Sequence, residues 1–382
     1  MVENADPVFV PETQVLTPKG PAKAGSLMGG ASIFGYAGPS RPAILPVARL
    51  RVRSHRAPVV RVITEQGYKL TVTPDHLFFV QLKAARNFFD LFLVHREGLG
   101  YVLSLGNGQL RDLSESTILY ERQREGAPSI SEKLWLLSTH RSAPQATYVE
   151  QLLSIRYGLP VFALDPRLRR QGLSEELLIR LLKEVDTGAR ASRLLRDAHL
   201  SESLPHFRRK LLSVQDQARM HYLDGMFYDP VGSQKQPAGP GAYRHILRII
   251  PLGDGVRFDR DRIRYLGPGE PRTEVFEKPD QLDQRLAAHA RDAFADPHRR
   301  ITLPLRKPFF IWPASYLREG MVLPTFDGTR FHEEAIKQVA LVDYAGDVLE
   351  LDLNGNGQVL AGGILVSAVG EPALTPAPLV GV

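Results

Sequence analysis

A β-rich domain built from both ends of the chain, interrupted by an inserted α/β and helical region, is the fold class predicted for this sequence of 382 residues. Three observations predict it. Residues 8 to 85 carry short apolar runs split by Gly and Pro, the punctuation of strands and turns. The tail from residue 300 repeats that style, with turns at Pro304, Pro308, Pro313 and Pro324. The middle differs, because apolar residues recur there at helical spacing.

The elements follow in order. Strands are predicted at 13–17, 43–52, 59–63 and 69–73, with Gly20, Gly29, Gly30 and Gly67 between them. The insert opens with two strands, 90–94 and 100–105, joined by the short loop 95–99. A helix at 116–125, a strand at 133–139 and a helix at 145–157 complete a β-β-α-β-α order. Gly158 stops the last helix, whose apolar positions Tyr148, Leu152 and Ile155 recur at helical spacing. Ser174 can N-cap a helix with the stripe Leu177, Leu178, Leu181, Leu182 and Val185. A helix at 281–294 aligns Leu282, Leu286, Ala290 and Ala293, and Pro297 ends it. Segments 232–241 and 266–272 read as loops, and strands return at 340–344 and 348–353. The expected domains are 8–85 with 300–370, an insert at 88–165, and an α/β accessory region at 166–299.

Composition bounds the function. Lys and Arg number 48 against 42 Asp and Glu, for a net charge of +6 and a pI of 9.4. This mild excess suits a polyanionic partner, and arginines such as Arg167, Arg169, Arg170, Arg299 and Arg300 carry much of it. A GC-rich genome would also favour arginine. With no cysteine, disulfides, thiolate zinc sites and thiol nucleophiles are excluded. No apolar run approaches the roughly 18 residues of a membrane span. The start of the chain has neither a basic n-region nor an apolar core, so no membrane partner and a cytoplasmic location are expected. Scattered histidines show no metal-ligand spacing, and there is no phosphate-binding glycine loop or serine-hydrolase elbow.

Specific motifs add a resemblance. Thr13-Gln14-Val15-Leu16-Thr17-Pro18-Lys19-Gly20, then Val72-Thr73-Pro74-Asp75-His76, then Asp347 to Leu353 and Leu360-Ala361-Gly362-Gly363-Ile364-Leu365-Val366 resemble, in this order, the intein (Hint) family. The resemblance implies that the two ends pack into one horseshoe of strands. It also implies a splicing site that can be checked atom by atom. The family's first residue, a Cys or Ser nucleophile, is here Val8. Thr73 and His76 match the family's Thr-x-x-His, whose His polarises the scissile amide, and read as a relic of that site. The terminal His-Asn pair is Ser367-Ala368, the following nucleophile is Val369, and Gly357 stands where another His is common. Each lost group supplied a particular atom for nucleophilic or acid–base chemistry, so splicing is expected to be absent. Seven residues before Val8 and fourteen after Ala368 leave little to splice.

The insert carries two further resemblances. Its predicted β-β-α-β-α order is similar to the GIY-YIG nuclease fold. The run Tyr148 to Pro160, and Asp186 to Leu195 with Pro205-His206 beyond, look like the insert of inteins in Rep-type DNA helicases. The nuclease resemblance implies a metal-binding Glu at Glu150, a phosphate-steadying Arg at Arg122 or Arg124, and a Tyr at Tyr101. Mg²⁺ is the implied cofactor, because a phosphodiester cut needs a hard oxygen ligand and a cation beside the charge. Departures are Phe92 at the first Tyr position, Val102 at the second unless the register slips to Tyr101, and Ser104 for a glycine. Tyr101 and Tyr157 could equally be core aromatics, and Glu150 a solvated helix residue. The expected function is therefore a splicing-inactive, intein-derived protein that binds DNA through a homing-endonuclease-like insert. A protein-interaction scaffold, or a weak metal-dependent endonuclease, is the alternative. Charge reversal at Arg208, Arg209 and Lys210 is the expected way to abolish DNA binding.

Overall fold

The structure, a computed structural model, describes residues 8–36, 42–82, 88–107, 118–122, 129–162, 175–230, 243–251, 257–259, 262–264, 272–289, 295–303, 305, 308–353 and 358–367. The chain divides into two compact units. One comprises Met1–Gln81, His221–Pro251 and Gly269–Val382, and the other Leu82–Met220 with Leu252–Pro268.

In the first unit the two ends of the chain are strand neighbours. Ile364–Ser367 pairs antiparallel with Leu77–Val80, setting Val366 opposite Phe78. It also closes a hairpin with Gln358–Ala361. That hairpin turns on Gly362 and Gly363, whose φ angles of 58° and 78° are the left-handed pair that a two-residue turn requires. A Cβ on Gly362 would lie 2.1 Å from the carbonyl oxygen of Lys69, so no side chain fits there. The sheet runs on one side through Val322–Phe326, Phe331–Val342, Val59–Thr64 and Lys69–Val72. On the other side it runs through Phe309–Pro313, Ala295–Ile301, His221–Pro230, Tyr243–Pro251 and Arg272–Phe276. His221–Pro230 and Ala295–Ile301 are parallel, which demands a crossover. The helix Pro279–His289 lies within that crossover and buries Leu282 and Leu286 in the core beside Leu223, Phe227 and Leu247. The close approach needs Gly225, where a Cβ would meet Leu286 at 2.5 Å. Residues 290–294 of the predicted helix lie outside the described residues.

The second unit is built on a five-stranded sheet in the order Gly100–Asn107, Phe89–Arg96, Ile130–His140, Phe207–Leu212, Ile118–Arg122. One expectation is corrected here. Residues 118–122 of the segment expected to be a helix are an edge strand, parallel to Phe207–Leu212 with Ile118 opposite Arg208 and Arg122 opposite Leu212. The described insert therefore runs β-β-β-β-α. The run Ile-Leu-Tyr suits a strand, and its partner lies far along the chain, where periodicity within a window cannot see it.

The helix Ala143–Tyr157 ends at Gly158 as predicted, in the left-handed conformation with its N–H on the Ser154 carbonyl at 2.8 Å. Its orientation is a second correction. Tyr148, Leu152 and Ile155 are 66%, 38% and 81% exposed, while Ala146, Glu150 and Tyr157 are buried. The helix lies close to the sheet through a small alanine, while Tyr148, Leu152 and Ile155 face outward. Leu182 is buried and Leu177 exposed on Glu175–Glu184, and Ser174 lies outside the described residues. In Thr187–Asp197 the Asp186 carboxylate caps the helix by accepting from the Ala189 N–H at 3.2 Å.

Candidate functional site

Strand pairing in the first unit assembles a centre from residues far apart in sequence. Phe9 exchanges both backbone hydrogen bonds with Leu349, at 2.9 and 2.7 Å, and bridges Val72 on its other side. This register brings the Val8 carbonyl to the Thr73 N–H at 3.3 Å. The turn Thr73–His76 closes with the His76 N–H on the Thr73 carbonyl at 3.1 Å. Ala314 and Ser315 then lock it by donating to the His76 and Pro74 carbonyls at 2.7 and 2.9 Å. Val8, Thr73 and His76, predicted as parts of one relic site, are brought together.

The chemistry available there is limited. The His76 ring is fully buried, edge-on to Phe9 at 4.6 Å and to Phe78 at 5.8 Å. Neither ring nitrogen finds a hydrogen-bond partner among the described residues. Burial drives its pKa down to about 3, so the imidazole is neutral at ordinary pH. Val8, held to Thr73 through its carbonyl, has an isopropyl side chain with no lone pair with which to attack a carbonyl. Ser367 is buried at the end of its strand. Ala368, Val369 and Gly357 lie outside the described residues.

In the second unit the three nuclease-type residues are distributed differently. Tyr101 stands on one edge strand and Arg122 on the opposite edge strand. Four strand spacings, roughly 19 Å, separate those edges. Arg124 lies outside the described residues. Tyr101 is buried and donates its hydroxyl to Glu202 at 2.5 Å, and burial with this acceptor pushes its pKa up. Its ring lies 4.4 Å from that of His95 and 6.0 Å from that of Trp135. Phe92, Val102 and Ser104 are buried within the sheet, with Phe92 edge-on to Phe207. Tyr157 is also buried and donates to Asp197 at 2.8 Å.

Glu150 has another task. The edge strand sends its outward Leu103 N–H to the Pro160 carbonyl at 2.8 Å and receives the Phe162 N–H at 2.8 Å. Two residues on, the Leu105 N–H points the same way, and the Glu150 carboxylate accepts it. Glu150 thus closes an open sheet edge. Burial raises its pKa to about 7. A buried carboxyl already bonded to an amide, with no group of three His, Cys, Asp or Glu that could hold a metal among the described residues, does not fit a divalent cation.

Glu150 makes the stability of the fold depend on pH. Its raised pKa means that its contribution is intact below 4.5 and is lost as the pH climbs through about 7. Glu150→Gln keeps the acceptor without the charge, so we expect it to be more stable than the native chain by about 2 kcal/mol near pH 8. The gap closes below pH 4.5. Denaturant titrations at both pH values check this, and a gap independent of pH would refute it.

Two groups escaped sequence reasoning. Glu132 is fully buried between Arg96 and Arg209, accepting from the Nε of each at 2.7 Å. The row Tyr101, His95, Lys133 and Arg208 crosses four adjacent strands. Only register makes either group, and no local motif marks them. The pairing also splits the expected basic stretch, since Arg208 and Lys210 share one sheet face while Arg209 lies on the other.

No family model matches the chain, and no curated protein does. Among solved structures, the crystal structure of gp41-1 intein is similar at 19% identity, over 19% of this chain and 53% of that one, with a TM-score of 0.17. A substituted form of the same intein is 18% identical, with the same coverage and TM-score. The match thus spans about half the length of these structures. An overlap this small carries no argument for the fold, which rests on the chain's own strand pairing. No helix among the described residues is long and apolar enough to cross a membrane.

Proposed function

We propose that this chain is a splicing-inactive, intein-derived protein whose inserted unit binds DNA through phosphate contacts. One observation carries the reading. The Val8 carbonyl accepts from Thr73, whose turn carries His76, and valine stands at the position where the resembled family has its nucleophile. The framework of the centre persists while its reacting atoms are gone. Support for DNA as the partner is the net charge of +6 and the half-buried cations Lys133, Arg208 and Lys210 on one sheet face.

Two measurements test this. The expressed chain is expected to keep its encoded mass of 42.6 kDa, and loss of either flank would contradict the inactive centre. Binding to a DNA duplex, followed by anisotropy, is expected to weaken steeply as salt rises, because cation–phosphate contacts release counterions. Salt-independent binding, or none at low salt, would remove the DNA reading. Plasmid nicking in Mg²⁺ is expected to be absent, since Tyr101, Arg122 and Glu150 are dispersed. Nicking by the native chain that Glu150→Gln abolishes would restore the endonuclease reading.

A second reading, a protein-interaction scaffold, is favoured by the outward Tyr148, Leu152 and Ile155 on one helix. A partner lost on Tyr148→Ser with Ile155→Ser, while DNA binding is absent, would favour it.

A further inference from the structure

We propose that Lys133 and Arg208, flanked by His95 and Tyr101, form a phosphate-binding site on one face of the five-stranded sheet, filled by a backbone phosphate of bound DNA. The DNA part rests on the function proposed above, and the site itself does not.

The geometry comes from register. Tyr101 lies opposite His95, His95 opposite Lys133, and Lys133 opposite Arg208. Residues directly opposite in neighbouring strands share a face at about 5 Å spacing, so the four side chains form one row. Lys210, two residues beyond Arg208 and opposite Ser131, extends the same face. His95, Lys133, Arg208 and Lys210 are all half-buried.

Such a row is electrostatically unfavourable by itself, because like charges directly opposite repel. Burial and Arg208 push the Lys133 pKa down, and burial and Lys133 do the same to His95. Two acids face the row, Glu202 and Glu97, and pull in the opposite direction. Glu202 is already engaged by the Tyr101 hydroxyl at 2.5 Å and the Ser192 hydroxyl at 3.4 Å. Among the described residues no carboxylate closes an ion pair with Lys133. A phosphate would supply Lys133 with an opposite charge and the row with several acceptors. A guanidinium can bind it in a fork and an ammonium as a point charge. Arg209 is excluded, since it turns to the other face and is held by Glu132.

The test uses the full chain and two probes, inorganic phosphate and a DNA duplex. With ¹⁵N-labelled histidine, phosphate is expected to raise the titration midpoint of His95 in the native protein, and this needs no variant to fold. In the DNA titration, Lys133→Met and Arg208→Met are each expected to lower the slope of log K against log salt by about 0.9. Arg180→Ala, on an exposed helix position, leaves it unchanged. If DNA binds but neither slope nor His95 moves, this site is wrong and the DNA reading survives. If phosphate shifts His95 but DNA does not bind, the site stands with another phosphate ligand and the DNA reading falls. Silence with both probes overturns both.

Discussion

His76→Phe is expected to abolish much of this protein's sensitivity to acid. The imidazole is fully buried, between Phe9 and Phe78, and neither nitrogen has a partner among the described residues. Its pKa is about 3 in the folded chain against the 6.5 of an unperturbed histidine. The unfolded chain takes up a proton near pH 6.5 that the folded chain refuses, so stability is complete above 6.5 and falls as the pH drops toward 3. Near pH 4 this one group costs about 3 kcal/mol, a large part of an ordinary stability of about 5–15 kcal/mol. Phenylalanine fits the aromatic slot and has no proton to gain. His76→Leu provides a second, smaller replacement should the larger ring overpack. Denaturant unfolding between pH 4 and 7 should give a sloping curve for the native chain and a flatter one for the variants. Parallel curves would show that His76 reaches solvent. The same measurement bears on function, because a histidine that cannot be protonated in the fold cannot donate a proton to a scissile amide.

Glu132→Ala is expected to destabilise the second unit by about 3–5 kcal/mol, the usual cost of leaving buried charges without their partner. The carboxylate has no exposed surface. Each of its oxygens accepts two donors from one guanidinium, at 2.7 Å from both Arg96 nitrogens and at 2.7 and 2.6 Å from those of Arg209. The three residues lie directly opposite one another on adjacent strands, so removing the acid presses two cations together in a partly dry setting. Glu132→Gln keeps the shape and should lose less, because it still offers one acceptor. Thermal unfolding of both variants checks the order, and an alanine variant as stable as the native chain would mean the triad is not formed. Reversing Arg209 would break this triad and report on folding, so the informative substitutions are those at Lys133 and Arg208.

The two β-rich ends were legible because Gly and Pro punctuation and β-branched runs act locally. Strands at Gln14–Thr17, Val59–Thr64 and Lys69–Val72 fall where the sequence predicts them. The helix at Ala143–Tyr157 was legible from spacing and from Gly158, yet its buried face was not. Apolar periodicity pointed to Tyr148, Leu152 and Ile155, while the sheet edge selected Ala146 and Glu150. Close approach needed a small side chain there, and an open amide needed an acceptor. The segment Ile118–Arg122 does not read locally as a strand because its partner Phe207–Leu212 is remote in the chain. As the far edge strand it holds Arg122 away from Tyr101.

By itself, the sequence determined which reactive atoms exist: no thiol anywhere, valine at position 8, and no asparagine after Val366. Covalent inventory does not depend on folding. Only the tertiary structure decided which side chains meet, because strand register is a long-range choice that sets whole faces at once. Register put Val8 against Thr73, dispersed the nuclease-type residues, and lined His95, Lys133 and Arg208 into one cationic row.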